Sequence, residues 1–249
     1  QFRVIDKSKD EIKTEVVVGG LVKSNKGVNL PDVVLNTSPL TSKDIEDLKF
    51  ILNQEIDWIA LSFVQKLKDV EEVKKYIGNK AGIIAKIEKP SALEELDEII
   101  QACEGIMVAR GDLGVELAPE EVPGIQKEII LKCRQAGKPV IVATQMLESM
   151  IETPSPTRAE ASDVATAVFD GADAVMLSAE TAVGSYPLET VNIMDRIITS
   201  AENHIKIHPG DGPQNLKRVN FIYNAVSRSA VSLAESVNAK AVVAFTASG

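Results

Sequence analysis

Cysteine is scarce in this chain, with two in 249 residues. Cys103 and Cys133 each fall in a helix-like stretch with no second cysteine at metal-ligand spacing, so neither a disulfide framework nor a zinc site is expected. Reduced thiols are the expectation. Long apolar runs are lacking as well: no stretch approaches the ~18 residues of a membrane span, and the charged start from Gln1 to Glu11 is unlike a signal peptide. A cytoplasmic protein with no membrane partner is expected. Positive charge is in deficit, 27 Lys and Arg against 36 Asp and Glu, a net −9. A nonspecific grip on nucleic acid or anionic lipid would work against that field, so any bound phosphate has to be held locally. The first residue is glutamine, which suggests a processed product or a piece of a longer one.

What is present is the balance of an ordinary globular protein, 45% hydrophobic and 25% charged. The length also suits one complete eight-unit β/α barrel, typically about 250 residues. Residues 1 to 29 read as extended, with Phe2 and Val4 alternating with polar neighbours, a polar turn from Lys7 to Asp10, and a β-branched run from Ile12 to Val18. From Thr41 the pattern becomes helix followed by strand, repeatedly. Five apolar strand candidates follow: Trp58 to Phe63, Ile83 to Ile87, Ile106 to Ala109, Val140 to Thr144 and Ala174 to Ser178.

Helix boundaries are readable between them. Thr41 with Asp44, Ser91 with Glu94 and Thr157 with Glu160 have the spacing of a capping box, while Gly137 and Gly171 are placed to end helices. Strands alternating with helices imply a parallel sheet with right-handed crossovers. Their near-continuous apolar character implies burial on both faces. A helix from Leu188 to about Asn203 gives way to His204 to Leu216, whose Pro209, Gly210, Gly212 and Pro213 break helix and strand and mark a domain boundary. Val219 to Val237 is helical in period, and Ala241 to Phe245 reads as a strand opening another α/β unit.

Polar residues gather where these strands end, the usual location of function in parallel β/α folds. Lys86 and Glu88, two apart, share one face of an extended chain. The next strand ends in Ala109-Arg110-Gly111-Asp112-Leu113-Gly114, the following one in Thr144-Gln145-Met146, and the last in Ser178-Ala179-Glu180-Thr181. Glu88 and Asp112 are suited to magnesium or manganese, since hard divalent cations take one or two carboxylates and complete the shell with substrate oxygens. Lys86 would be a fixed cation that neutralises a group in transfer. A plain strand-end ion pair of Lys86 with Asp112 or Glu88 is the simpler alternative. The turn carrying Gly111 and Gly114 could bring amides close to an anion. Met146 and Met150 are read as packing residues, His204 and His208 as linker residues, and the acidic run Glu94 to Glu98 as a solvated helix face.

Four longer motifs, Ile84-Ala85-Lys86-Ile87-Glu88, Met107-Val108-Ala109-Arg110-Gly111-Asp112-Leu113-Gly114, Lys138 to Leu147 (KPVIVATQML) and Pro156-Thr157-Arg158-Ala159-Glu160, resemble pyruvate kinase in order and spacing. The likeness runs from about Gly19 to the end of the chain. It implies a (β/α)8 barrel of the TIM type with an inserted small β domain and a C-terminal α/β regulatory domain. On that pattern this chain holds the end of the inserted domain (1–29), about five of eight barrel units (30–205), and a linker with the start of the C-terminal domain (206–249).

The resemblance further implies phosphoryl transfer from phosphoenolpyruvate to ADP, giving pyruvate and ATP, the last step of glycolysis, with Mg2+ or Mn2+ and K+, in a homotetramer. Carried over by motif, Glu88 and Asp112 would ligate the divalent ion, and Lys86 would stabilise the phosphoryl group. Ala109, Arg110 and Gly111 would present backbone to the substrate carboxylate. Thr144 would face the enolate, Ser178 and Glu180 would lie on the proton path, and Lys26 would lie near nucleotide. The family has glycine where this chain has Ala179, and its potassium ligands would precede Gln1.

Two other readings compete. One is a pyruvate-enolate aldolase, metal-dependent or using Lys86 in a Schiff base. The other is a catalytically incomplete binding or assembly piece, suggested by Thr246-Ala247-Ser248-Gly249, which resembles the start of an effector loop, and by the helix after Thr157, which resembles a subunit contact.

Overall fold

The computed structural model describes residues 1–22, 24, 28, 38–204 and 218–244. The chain divides into two compact units, 1–30 and 31–249.

In the first unit, β1 (Phe2–Lys7) and β2 (Ile12–Val16) form an antiparallel pair. The intervening turn closes where the Ser8 amide donates to the Glu11 carbonyl at 2.8 Å. Every residue of both strands is exposed, because two strands alone have no second layer to bury against.

The second unit is an α/β layer structure. Its elements run α1 (Ser42–Ile51), β3 (Trp58–Leu61), α2 (Leu67–Ile77), β4 (Gly82–Ile87), α3 (Leu96–Ala102), β5 (Gly105–Ala109), α4 (Arg110–Glu116), α5 (Val122–Ala136), β6 (Val140–Ala143), α6 (Arg158–Asp170), β7 (Ala174–Met176), α7 (Ala179–Ala182), α8 (Pro187–His204) and α9 (Arg218–Ser236). The five strands pair in parallel, in the order β3-β4-β5-β6-β7, and among the described residues they form an open sheet and not a closed barrel. All five strand candidates are therefore present. The register pairs Leu61 with Ala85, Ile87 with Val108, Ala109 with Ala143, and Ala143 with Met176, so the C-terminal ends of the strands lie side by side.

The capping boxes at Thr41 and Thr157 form, and Gly137 and Gly171 end α5 and α6 in the left-handed conformation at φ 68° and 95°. At Gly171 a side chain would also meet the Arg134 guanidinium, 2.4 Å from an added Cβ. The box expected at Ser91 does not form. Pro90, with its preset φ, opens a 3-10 turn over Pro90–Leu93 that places Ser91 inside it, and α3 starts only at Leu96. Glu94, Asp97 and Glu98 are exposed as expected, but Glu95 accepts a bond from the Leu67 amide at 2.8 Å. Burial on both faces holds fully only for β5, the central strand. β4 alternates buried with half-buried, and the edge strands are partly exposed, because an edge has a neighbour on one side only.

The core joins Ile83, Ala85 and Ile87 of β4 and Ile106 and Val108 of β5 to Ile99, Ile100, Ile129 and Ile130 of the helices. Met146 and Met150 are fully buried, as their reading as packing residues requires. Both cysteines are buried, and burial raises the Cys103 thiol to about 11 and the Cys133 thiol to about 12. His204 is the last residue of α8, its ring 2.7 Å from the Ser200 carbonyl, and so is helical and not a linker residue. Residues 241–244 of the strand expected from Ala241 to Phe245 are not strand, since none among the described residues pairs with them. His208, Lys26, the breaker-rich stretch 205–217 and the proposed effector turn 246–249 lie outside the described residues.

Candidate active site at the strand ends

β4 delivers Lys86 and Glu88 together. Lys86 Nζ lies 2.7 Å from Glu88 Oε1 and donates to Ser62 Oγ at 2.9 Å, just beyond β3. The other carboxylate oxygen of Glu88 accepts from the Phe63 amide at 2.6 Å. Phe63 has φ 55°, a left-handed conformation that is costly for a bulky residue and turns its N–H onto the carboxylate. The Glu88 side chain is 1% exposed and that of Lys86 is 23% exposed, so the ammonium is the member of the pair that reaches solvent. The simpler sequence alternative, a Lys86–Glu88 ion pair, is thus present. It coexists with the metal reading, because a carboxylate has more lone pairs than these two donors use.

The next residue, Lys89, makes a second ion pair. Its Nζ lies 2.5 Å from Glu116 Oε1, with the two side chains 9% and 3% exposed. Glu116 ends α4, the helix whose first turn carries Gly111 and Asp112. The loop after β4 is therefore tied to α4 by a buried charge pair that the sequence reading missed. The only signal for it was a lysine directly after the strand-end glutamate.

The segment Arg110 to Gly114 is helical and not the open glycine turn expected, and it continues β5 directly into α4. Its Gly111 amide donates to Thr144 Oγ1 at 2.6 Å, and Thr144 Oγ1 donates in turn to the Ala143 carbonyl at 2.6 Å. A Cβ on Gly111 would sit 3.2 Å from that hydroxyl, so glycine permits the close approach. Thr144 and Gln145 have φ 71° and 56°, two consecutive left-handed residues of which one is β-branched. Such strain costs about 1–3 kcal/mol per residue and collects at functional sites. Asp112 follows Gly111 in the first turn of α4, half-buried, on the helix that continues β5, the strand next to β4.

The buried Arg110 side chain was not foreseen. Its Nη1 is 2.7 Å from Asp163 Oδ2 on α6, while Nη2 and Nε donate to the Thr144 carbonyl at 2.7 and 3.3 Å.

At the last strand end Ser178 is half-buried and the Glu180 carboxylate is turned inward. Glu180 is 2% exposed and accepts from the Ser178 amide at 2.7 Å and the Leu147 amide at 3.3 Å, which links α7 to the loop after β6. Ala179, where the family has glycine, is the first residue of α7. The close backbone approach occurs instead at Gly184, where an added Cβ would lie 2.3 Å from the Glu180 carbonyl oxygen.

Further along, Glu160 of the fourth motif accepts four bonds, from the amides of Ser149 and Thr157 at 2.7 Å each and from their hydroxyls at 2.6 and 2.9 Å. Burial acts to raise its pKa, and these bonds together outweigh it and hold the carboxyl below its ordinary 4.5. The motif is thus a rigid corner at the start of α6.

The family described as pyruvate kinase, barrel domain, matches residues 1–191. This chain belongs to the pyruvate kinase family. A pyruvate kinase from Agrobacterium vitis is 53% identical over 249 residues, all of this chain and 52% of that protein. One from Mycobacterium tuberculosis (strain CDC 1551 / Oshkosh) is 52% identical over 244 residues, covering 96% of this chain and 51% of that protein. The crystal structure of a pyruvate kinase from Cryptosporidium parvum superposes with a TM-score of 0.85 at 40% identity, over 96% of this chain and 51% of that one. The chain spans about half the length of the curated relatives it matches.

Among the described residues no three His, Cys, Asp or Glu side chains cluster as a ready-made metal cage. Glu88 and Asp112 follow the neighbouring strands β4 and β5, and two carboxylates with substrate oxygens completing the shell are a donor set of the kind magnesium accepts. No helix among the described residues is long and apolar enough to cross a membrane.

Proposed function

We propose that this chain is the part of a pyruvate kinase that handles the phosphoenolpyruvate end of the reaction. The observation that carries the reading is the Lys86–Glu88 pair at 2.7 Å, set at a strand end beside the one bearing Gly111 and Asp112. Glu88 and Asp112 would hold Mg2+ or Mn2+, which when bound screens the negative charge of the phosphoryl and enolate oxygens. The Lys86 ammonium would neutralise the phosphoryl group during transfer to ADP. Backbone at Ala109, Arg110 and Gly111 would face the substrate carboxylate, and the Thr144 hydroxyl would lie beside the methylene carbon that takes up a proton to give pyruvate.

Ser178 and Glu180 would support that proton path, with Glu180 acting through its grip on the loop after Thr144. Lys26 would serve nucleotide. K+ would be held by residues of the longer protein, in a cytoplasmic, glycolytic homotetramer. A Schiff base on Lys86 is disfavoured by the geometry, since its Nζ is already engaged by Glu88 at 2.7 Å and by Ser62 Oγ at 2.9 Å.

The test is binding of Mn2+ and then of oxalate, a planar dianion of the enolate's shape, followed by electron paramagnetic resonance. The chain is expected to bind Mn2+ and to bind oxalate only with the metal, while turning over phosphoenolpyruvate and ADP little or not at all, since five barrel strands are present among the described residues and a closed barrel takes eight. Oxalate binding that ignores Mn2+ would overturn the site, and robust pyruvate formation by the isolated chain would overturn the account of its incompleteness.

A further inference from the structure

Thr144 is gripped at two points by two consecutive residues of α4. Gly111 holds its hydroxyl through an amide 2.6 Å away. Arg110 holds its carbonyl through Nη2 at 2.7 Å and Nε at 3.3 Å. The same guanidinium is anchored behind by Asp163 of α6 at 2.7 Å, with Gln126 Oε1 of α5 at 3.4 Å and Met146 Sδ at 3.1 Å from its nitrogens. Arg110 is 9% exposed, so this charge has largely left water and is matched, among the described residues, by these partners. A planar fork can hold one carbonyl with two nitrogens and a carboxylate with the third, which a lysine cannot do.

The left-handed backbone at Thr144 and Gln145, φ 71° and 56°, does not persist on local preference. It needs a partner that fixes the direction of the carbonyl between them. Arg110 bonds that carbonyl. We propose that the Arg110 side chain, braced by Asp163, is a positioning group that holds Thr144 in its left-handed conformation and so aims the hydroxyl at the Gly111 amide. The catalytic consequence rests on the reading of Thr144 as facing the enolate; the positioning itself does not. Arg110 acts through Thr144 and its side chain touches no reacting atom.

The experiment is amide hydrogen exchange by NMR on the whole chain, wild type against Arg110→Met and Arg110→Lys. The Gly111 amide reports on the Thr144 hydroxyl, and the Ile106 amide, bonded to the Pro139 carbonyl at 3.0 Å, reports on the sheet. Gly111 is expected to exchange at least about tenfold faster in Arg110→Met, with Ile106 unchanged and the lysine variant restoring little. Equal acceleration of both amides, or no acceleration of Gly111, overturns the proposal and leaves Arg110 a stability residue. Should Arg110→Met fail to fold, Asp163→Asn, which keeps the guanidinium and loosens its brace, is read by the same two amides with the same criteria. In parallel, Arg110→Met should leave Mn2+ affinity intact and weaken oxalate binding to the Mn2+ form by about tenfold. A wild-type chain that binds neither probe refutes the functional reading, while the two amides still decide the role of Arg110.

Discussion

Lys86 and Glu88 meet at 2.7 Å although the carboxylate is buried and the ammonium is partly in solvent. The pair therefore gives a buried carboxyl group a direct cationic partner within the chain itself. Replacing Lys86 by Met would leave Glu88 with the Phe63 amide alone, so the metal-free chain should lose thermal stability. Added Mn2+ should restore part of it, because the divalent charge takes the place of the missing ammonium and stabilises by binding the folded state only. Glu88→Gln should show no such rescue. Melting curves with and without Mn2+ check this, and equal Mn2+ shifts in the two variants would contradict it.

The Lys89–Glu116 pair makes a different prediction, because both members are buried. Lys89→Met strands a buried carboxylate and should cost about 3–5 kcal/mol, whereas the double variant Lys89→Met/Glu116→Leu should recover most of the loss. Urea denaturation of the single and double variants measures this. A double variant no more stable than the single one would show that α4 needs the charges themselves.

Glu160 gives a pH dependence of known sign. Its carboxyl is held below 4.5 in the folded chain, so its bonds contribute fully above that pH and are lost as pH falls through the lower folded value. Glu160→Gln should therefore lower the urea midpoint at about pH 6, with the gap from wild type narrowing toward about pH 3. A gap that stays constant across this range would mean the carboxylate charge is not what holds the corner.

Cys103 and Cys133 should be silent in the native protein. Both are buried, with thiols raised to about 11 and about 12. Ellman's reagent at about pH 8 should find neither until the chain is denatured, when both react. One equivalent released rapidly from native protein would show that α3 or α5 opens.

The sheet and the positions of Lys86, Glu88, Asp112 and Thr144 were legible because period and strand ends follow from local pattern. Gly137 and Gly171 were legible for the same reason, as each lies at the end of a helical run. What was not legible depends on partners distant in sequence. Asp163 lies 53 residues from Arg110, and nothing in either segment names the other. The Lys89–Glu116 contact spans 27 residues, and its meaning comes from burial, which a single sequence does not display. Ser91 failed as a cap because Pro90 imposed its own turn first, a local conflict that spacing alone does not resolve.

Trp58 is the only tryptophan of the chain, and it lies on the outer edge strand of the sheet, 51% exposed, with its ring over Gly82. That placement gives the molecule a built-in optical probe. Anything that pairs with β3 must change the water around this one indole, so a blue shift of its emission would mark the moment that edge is covered.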